Sequence, residues 1–363
     1  MTDLPEPPQS VHDIYALVDR LFASGGTDLH LSVGSRPRIR VDGHLITVPD
    51  AAPATDDQLG LAVQELLTSE EQHRLDLDRQ VDLAVSWSDG TRFRINVFHQ
   101  RGSLAMALRR IPSSIPTPRQ IGLPAAVEAL IERPHGLVLV TGPTGSGKST
   151  TLAAMIAEIN RRRAVHVVTV EDPIEYIYAS DLALVNQREL GSDTTGYAEA
   201  LRAALREDPD VVMVGEMRDL ETIQLALTLA ETGHLVFATV HTNDASQTID
   251  RIVDVFPAGQ QDQVRTQCSM TLAAVVSQRL VPRIGGGRVA AYEVLLGTIG
   301  VANMIRDGKT RQIRNTIATS SREGMVLLEQ SLSGLVQAGV VSLDDARRAS
   351  VFPDEIVGGP TIG

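Results

Sequence analysis

Eight consecutive residues, Gly142, Pro143, Thr144, Gly145, Ser146, Gly147, Lys148 and Ser149, followed by Thr150, match the pattern G-x-x-x-x-G-K-[ST]. Glycines let backbone N–H groups turn towards the oxygens of a polyphosphate, and the helix that follows directs its positive end at the same point. A lysine and a hydroxyl at the end of the run add a mobile positive charge and a hard oxygen ligand. The pattern has this meaning only between a strand and a helix. Here Leu137–Val140 is a solid apolar run, and Thr150–Arg163 sets Leu152, Ile156 and Ile159 on one helical face. The chemistry expected is phosphoryl transfer from ATP, with residues 142–150 as the cradle, Lys148 at the β- and γ-phosphates and Ser149 on Mg²⁺.

Phosphoryl transfer also needs a metal held in place and an attacking water oriented, and carboxylates do both. Four runs, Leu137–Val140, Val165–Val170, Val211–Val214 and Leu235–Val240, are apolar or nearly so, as strands buried on both faces of a parallel sheet are. Ligands of such a sheet lie beyond the carboxyl ends of its strands. Val165–Val170 runs into Glu171, Asp172, Pro173, Ile174 and Glu175; Val211–Val214 runs into Gly215 and Glu216; Leu235–Val240 runs into His241. Glu216 is assigned to the metal shell, and Glu175 or Glu171 to the water, although Asp before Pro is also ordinary turn chemistry. His241, at a carboxyl end, is placed to sense a γ-phosphate, whereas His234, at the other end of the same run, reads equally as a structural histidine. The two do not suggest zinc, since no cysteine lies nearby and their spacing along a strand puts the rings on opposite faces.

The proline-rich stretch Ile111–Pro118 cannot continue a helix or a central strand. It separates two differently patterned regions. Before it, Ile14, Leu17, Val18 and Leu21 fall at helical spacing, Leu61–Leu75 reads as a second helix, and Asp28–Ser32, Arg38–Val41, Val81–Val85 and Arg92–Phe98 alternate with period two. The expectation is a small α+β domain over 11–110 after a disordered 1–10, then a linker over 111–124. After it, apolar strands alternate with helical stretches such as Tyr197–Arg206, the layout of an α/β nucleotide domain over 125–296. Helical stretches Thr298–Arg306 and Met325–Ala338 predict a helical region over 297–350 and a frayed tail over 351–363. Arg92, Arg94, Arg109 and Arg110 sit in the later strands of the first region. Oligomeric ATPases complete a site with an arginine from a neighbouring chain, and solvated strand faces would account for the same residues. Arg202 and Arg206, near the site, could equally pair with acids.

Composition narrows the partners. Lysine plus arginine is 33 against 45 acids, a net charge of −12, so there is no global basic field for a nucleic acid, and the 3% of aromatic residues argues against a stacking surface. A single cysteine, Cys268, excludes an internal disulfide and fits a reducing cytosol. Met1–Ser10 is acidic and proline-rich, without the apolar segment of an export signal, and no apolar run is long enough to span a bilayer. A cytoplasmic protein with at most peripheral membrane contact is expected.

Four boxes in order resemble the secretion and pilus motor ATPases. They are the phosphate loop Gly142–Thr150, Val170–Tyr176, Arg206–Asp219 with Glu216 as its acid, and Thr232–Asn243 ending in the histidine segment. Thr27–Leu31 with Pro37–Gly43 resembles the opening of the family's PAS-like first domain. The resemblance implies a PAS-like domain, a RecA-like P-loop domain and a homohexamer that hydrolyses ATP at its subunit interfaces, with Arg94 and Arg109 as trans arginines. The chain is short and lacks a four-cysteine zinc insertion, which resembles the branch that retracts type IV pili. Gly300–Asp307 resembles that branch's C-terminal motif, A-I-R-N-L-I-R-E, with Ala302 standing where the family's first arginine falls. The implied setting is the cytoplasmic face of the inner membrane, against a pilus platform protein. A pilus-extension or type II secretion ATPase is the alternative, and a RecA-like DNA translocase is the alternative from another class.

Overall fold

The computed structural model describes residues 14–41, 44–87, 91–111 and 114–358. The expectation for residues 1–10 lies outside the described residues, as does the end of the expected tail. The chain divides into two compact units, Met1–Ser113 and Ser114–Gly363, and the division falls inside the proline-rich stretch.

The first unit is built on strands β1 (Asp28–Ser32), β2 (Arg38–Val41), β3 (His44–Thr47), β4 (Gln80–Ser86), β5 (Arg92–Gln100) and β6 (Ser103–Ile111), in the antiparallel order β3-β2-β1-β6-β5-β4. One face packs against helix Ile14–Ala23, whose Ile14, Leu17, Val18 and Leu21 are buried with Leu29, Leu31, Phe93, Ile95 and Leu108. The segment Leu61–Leu75, expected as one helix, is two, Asp56–Leu66 and Ser69–Asp78. Leu67 is extended, and Thr68 starts a new helix with a capping box, its hydroxyl accepting from Glu71 N–H while the Glu71 carboxylate accepts from Thr68 N–H. Strand β3 carries no alternation, since its apolar residues Leu45 and Ile46 are adjacent, and all four of its residues are exposed. The face away from the core carries charge. Register sets Asp28 opposite Arg40 on one side and Arg109 on the other, and Arg109 opposite Arg94.

The second unit holds β7 (Gly136–Thr141), β8 (His166–Glu171), β9 (Leu184–Glu189), β10 (Val211–Val214), β11 (Leu235–Val240), β12 (Leu272–Pro282) and β13 (Arg288–Leu296), in the order β13-β12-β7-β11-β10-β8-β9. All neighbours are parallel except the β12–β13 edge pair. Side chains alternate between two buried faces. Leu137, Leu139, Val212, Val236 and Ala238 pack against helices Tyr197–Ala204, Leu220–Glu231 and Ala245–Asp254. Val138, Val140, Met213 and Phe237 pack against helix Lys148–Arg162. The result is a three-layer α/β unit with a mainly parallel sheet. Helices Ile299–Arg306, Ile313–Thr319, Leu328–Gln337 and Leu343–Ala349 follow. Residues 351–358 do not fray as expected: Phe352 lies under the Arg314 guanidinium, Ile356 is buried, and Val357 N–H donates to Ser333. Among the described residues no helix is long and apolar enough to cross a membrane.

Phe237 is fully buried in β11, the strand that runs into His241. Phe237→Ala is expected to destabilise the second unit by about 3–5 kcal/mol, read as a lower denaturant midpoint.

Candidate active site

The phosphate loop leaves β7 and enters helix Lys148–Arg162 through Gly142, Gly145 and Gly147, at φ of +141°, +77° and +89°. A Cβ on Gly142 would stand 2.4 Å from the Gln278 carbonyl, and one on Gly147 2.8 Å from the Gln278 side chain. Both glycines are therefore required by conformation and by the closeness of β12. Thr151 holds Gln278 in place, its hydroxyl donating over 2.7 Å. Lys148 is buried and donates to Gly142 O at 2.9 Å and Pro143 O at 3.1 Å. Burial holds its ammonium below the usual lysine range, against the opposing pull of Glu216 and Glu175.

Parallel register brings the other strand ends to the same place. Val214 on β10 pairs with Val170 on β8 and Ala238 on β11, so Glu171, Glu216 and His241 emerge on the side of the loop. Lys148, Ser149, Glu171, Glu175, Glu216 and His241 line one cavity of about 190 Å³. His241 Nδ1 lies 3.5 Å from Lys148 Nζ, and its Nε2 lies 3.3 Å from Glu216 Oε1. An ammonium only donates, so Nδ1 must accept and the ring proton sits on Nε2, facing the carboxylate. Glu216 also takes Arg218 Nε at 2.6 Å. Burial works against its ionisation, but the bond and charge of Arg218 and the hydrogen bond from His241 hold its carboxyl below the usual range.

Glu171 and Glu175 differ sharply. Glu171 is buried and saturated, accepting from the Thr169 hydroxyl at 2.7 Å, from Gln187 Nε2 at 3.1 Å and from the Glu175 backbone, and burial pushes its carboxyl up. Glu175 is exposed to the cavity. Tyr176 buries its ring and meets the Thr150 hydroxyl at 3.1 Å, and Tyr197 closes another wall.

Not every residue singled out by sequence reaches this cavity. His234 caps the preceding helix, its Nδ1 2.9 Å from Leu229 O. Arg202 pairs with Glu199 and Glu221. Arg94 and Arg109 belong to the first unit, side by side on β5 and β6, where Arg94 lies 3.6 Å from Asp82 and Arg109 lies 2.7 Å from Asp28. Arg110 faces the other way, stacked on Phe22. Sequence reading passed over Arg218, although it stands two residues beyond Glu216, and over Tyr176 and Tyr197. It also missed a second cavity of about 300 Å³ against Gly147 and Thr151, edged by Arg119, Arg283 and Arg288, which form no ion pair among the described residues.

A glycine cradle on a buried lysine, with two strand-end carboxylates and a histidine around it, defines a P-loop ATPase. The chain belongs to the type II/IV secretion system protein family, whose model matches residues 10–286. It is 45% identical over 94% of its length to a type IV pilus retraction ATPase, PilT, of Pseudomonas aeruginosa, covering 99% of that protein. It is 45% identical over 86% of its length to a twitching motility protein of Neisseria gonorrhoeae, covering 83% of it. A crystal structure of the pilus retraction motor PilT with bound ADP superposes with a TM-score of 0.88 at 47% identity, covering 94% of this chain and 98% of that one.

The loop between His241 and helix Ala245–Asp254 is held by Glu293 on β13, whose Oε1 accepts from Ala245 N–H at 2.8 Å. Burial pushes its carboxyl up to about 7 from 4.5, Asp244 and Glu329 add to the rise, and the Ala245 bond and Arg314 act against it. Folding therefore favours the protonated acid. This stability is fully present below the unfolded value and is lost as pH rises through the folded one. Between about pH 5 and about pH 8, wild type should lose roughly 1–3 kcal/mol more stability than Glu293→Gln, measured as the difference in denaturant midpoints.

Proposed function

We propose that this chain is a hexameric motor that hydrolyses ATP to drive retraction of a type IV pilus. One observation carries the chemistry: Lys148, Ser149, Glu175, Glu216 and His241, from four separate strand ends and loops, line a single cavity. The relatives named for pilus retraction and twitching motility supply the task.

The loop N–H groups and Lys148 take the β- and γ-phosphates, Lys148 exchanging its bonds to Gly142 and Pro143 carbonyls for phosphate oxygens. Among the described residues no group of three or more His, Cys, Asp or Glu side chains forms a metal cage. Mg²⁺ is commonly held through one or two protein oxygens plus substrate phosphates, and here the Ser149 hydroxyl and the Glu216 carboxylate would be those oxygens. When bound, the ion neutralises charge developing on the transferred phosphoryl group. Glu175, exposed to the cavity and not saturated like Glu171, orients the attacking water and accepts its proton. His241 bridges Lys148 and Glu216, so arrival of a γ-phosphate at Lys148 reaches Glu216 through one ring. The cavity beside Gly147, with its three arginines, suits the nucleoside end. Arg94 and Arg109 serve the site of a neighbouring subunit.

Nucleotide-driven closure then does work on a pilus platform protein at the inner membrane. In phosphate-release assays Lys148→Ala, Glu216→Gln and Glu175→Gln should each lose turnover by about 10²-fold or more. Glu171→Gln should keep most of it. Wild-type turnover by Glu216→Gln would remove Glu216 from the mechanism. Deleting the gene should leave surface pili in excess with twitching lost, whereas absent pili would assign an extension motor instead.

A further inference from the structure

The buried carboxylate of the first unit is not used by the mechanism above. Asp28 is 5% exposed at the centre of the charged sheet face, between Arg40 and Arg109 in register. Its Oδ2 accepts from the Thr27 hydroxyl at 2.7 Å and lies 4.0 Å from Arg40 Nε. Its Oδ1 accepts from Arg109 Nε at 2.7 Å. Burial works against the charge, but Thr27 and Arg109 hold the carboxyl below the usual carboxylate range, so it stays ionised.

The geometry of the pair is uneven. An arginine recruited for stability commonly meets a carboxylate with two parallel N–H bonds. Arg109 gives only its Nε, its two terminal nitrogens make no hydrogen bond among the described residues, and its side chain is 70% exposed. Arg94 stands beside it, and the two edge a cavity of about 330 Å³ with Asp28, His30, Asp82 and Asn96. A guanidinium held at one corner by a rigid buried acid keeps its fork turned outward with few rotamers left to lose, which is how a phosphate-binding arginine is preorganised.

We propose that Asp28 is a positioning residue for Arg109, fixing the guanidinium through Nε so that its terminal nitrogens are presented to the phosphates of ATP bound by a second copy of this chain. The proposal rests on the reading of Arg109 as a trans arginine. Asp28 touches no substrate and acts through Arg109 alone; a guanidinium whose contacts strengthen as charge develops on the transferred phosphoryl group lowers kcat when it is misplaced and leaves KM for ATP nearly unchanged.

The test is steady-state ATP hydrolysis by the assembled full-length protein in a cycle of Asp28→Asn, Arg109→Ala and the double variant. Asp28→Asn is expected to lower kcat by about tenfold or more, with KM within about twofold and the oligomeric mass unchanged, and to cause no further loss beside Arg109→Ala. Mixing Asp28→Asn subunits with Lys148→Ala subunits, whose own sites are dead but which carry an intact Asp28–Arg109 pair, is expected to restore turnover. Lys148→Ala subunits that also carry Asp28→Asn are expected not to. If Asp28→Asn fails to assemble, Asp28→Glu, which keeps the charge but moves it by one methylene, is read in its place. Wild-type turnover by Asp28→Asn while Arg109→Ala is inactive overturns the proposal, as does an equal loss in the Arg109→Ala background. Full turnover by Arg109→Ala would overturn the trans-arginine reading itself.

Discussion

The site depends on parallel pairing. Because β7, β11, β10 and β8 run the same way in register, with Val140, Thr239, Val214 and Val170 near one edge, each chain leaves the sheet on the same side. Polar residues at or just past the ends of those strands converge on the loop that follows β7. Antiparallel pairing of any one strand would carry its carboxylate or histidine to the far edge. The apolar run inside each strand thus matters to chemistry, since burial on both faces holds the strands in this register.

Around the loop, charge is arranged as a relay. Lys148, His241, Glu216 and Arg218 follow one another through contacts of 3.5, 3.3 and 2.6 Å, alternating donor and acceptor. A partly desolvated ammonium and a partly desolvated carboxylate would each be costly alone. Here each has a partner. Glu171 serves the same cavity differently, tying the start of the Glu175 loop to Thr169 and Gln187.

The first unit shows the same economy with the opposite sign. One buried acid, Asp28, faces two arginines across an antiparallel sheet, with a third arginine one strand beyond. The core face is apolar and aromatic, so the charged face is free to display cations without weakening the packing.

The phosphate loop, the strands that end at Glu171, Glu216 and His241, and the helical face that follows Lys148 were all legible in the sequence. Local spacing and largely apolar runs determine them, and both are properties of neighbours in the chain. The break at Leu67–Thr68 was in principle legible too, as a capping box, but the apolar spacing hid it. What tertiary structure alone decided are relations between distant residues. Gln278 closes on Gly142 and Gly147, Glu293 holds the turn after His241, Asp28 fixes Arg109, and Glu171 is saturated while Glu175 is not. Two carboxylates four residues apart look alike as letters. Burial and hydrogen-bond partners separate them, and those depend on which strands become neighbours.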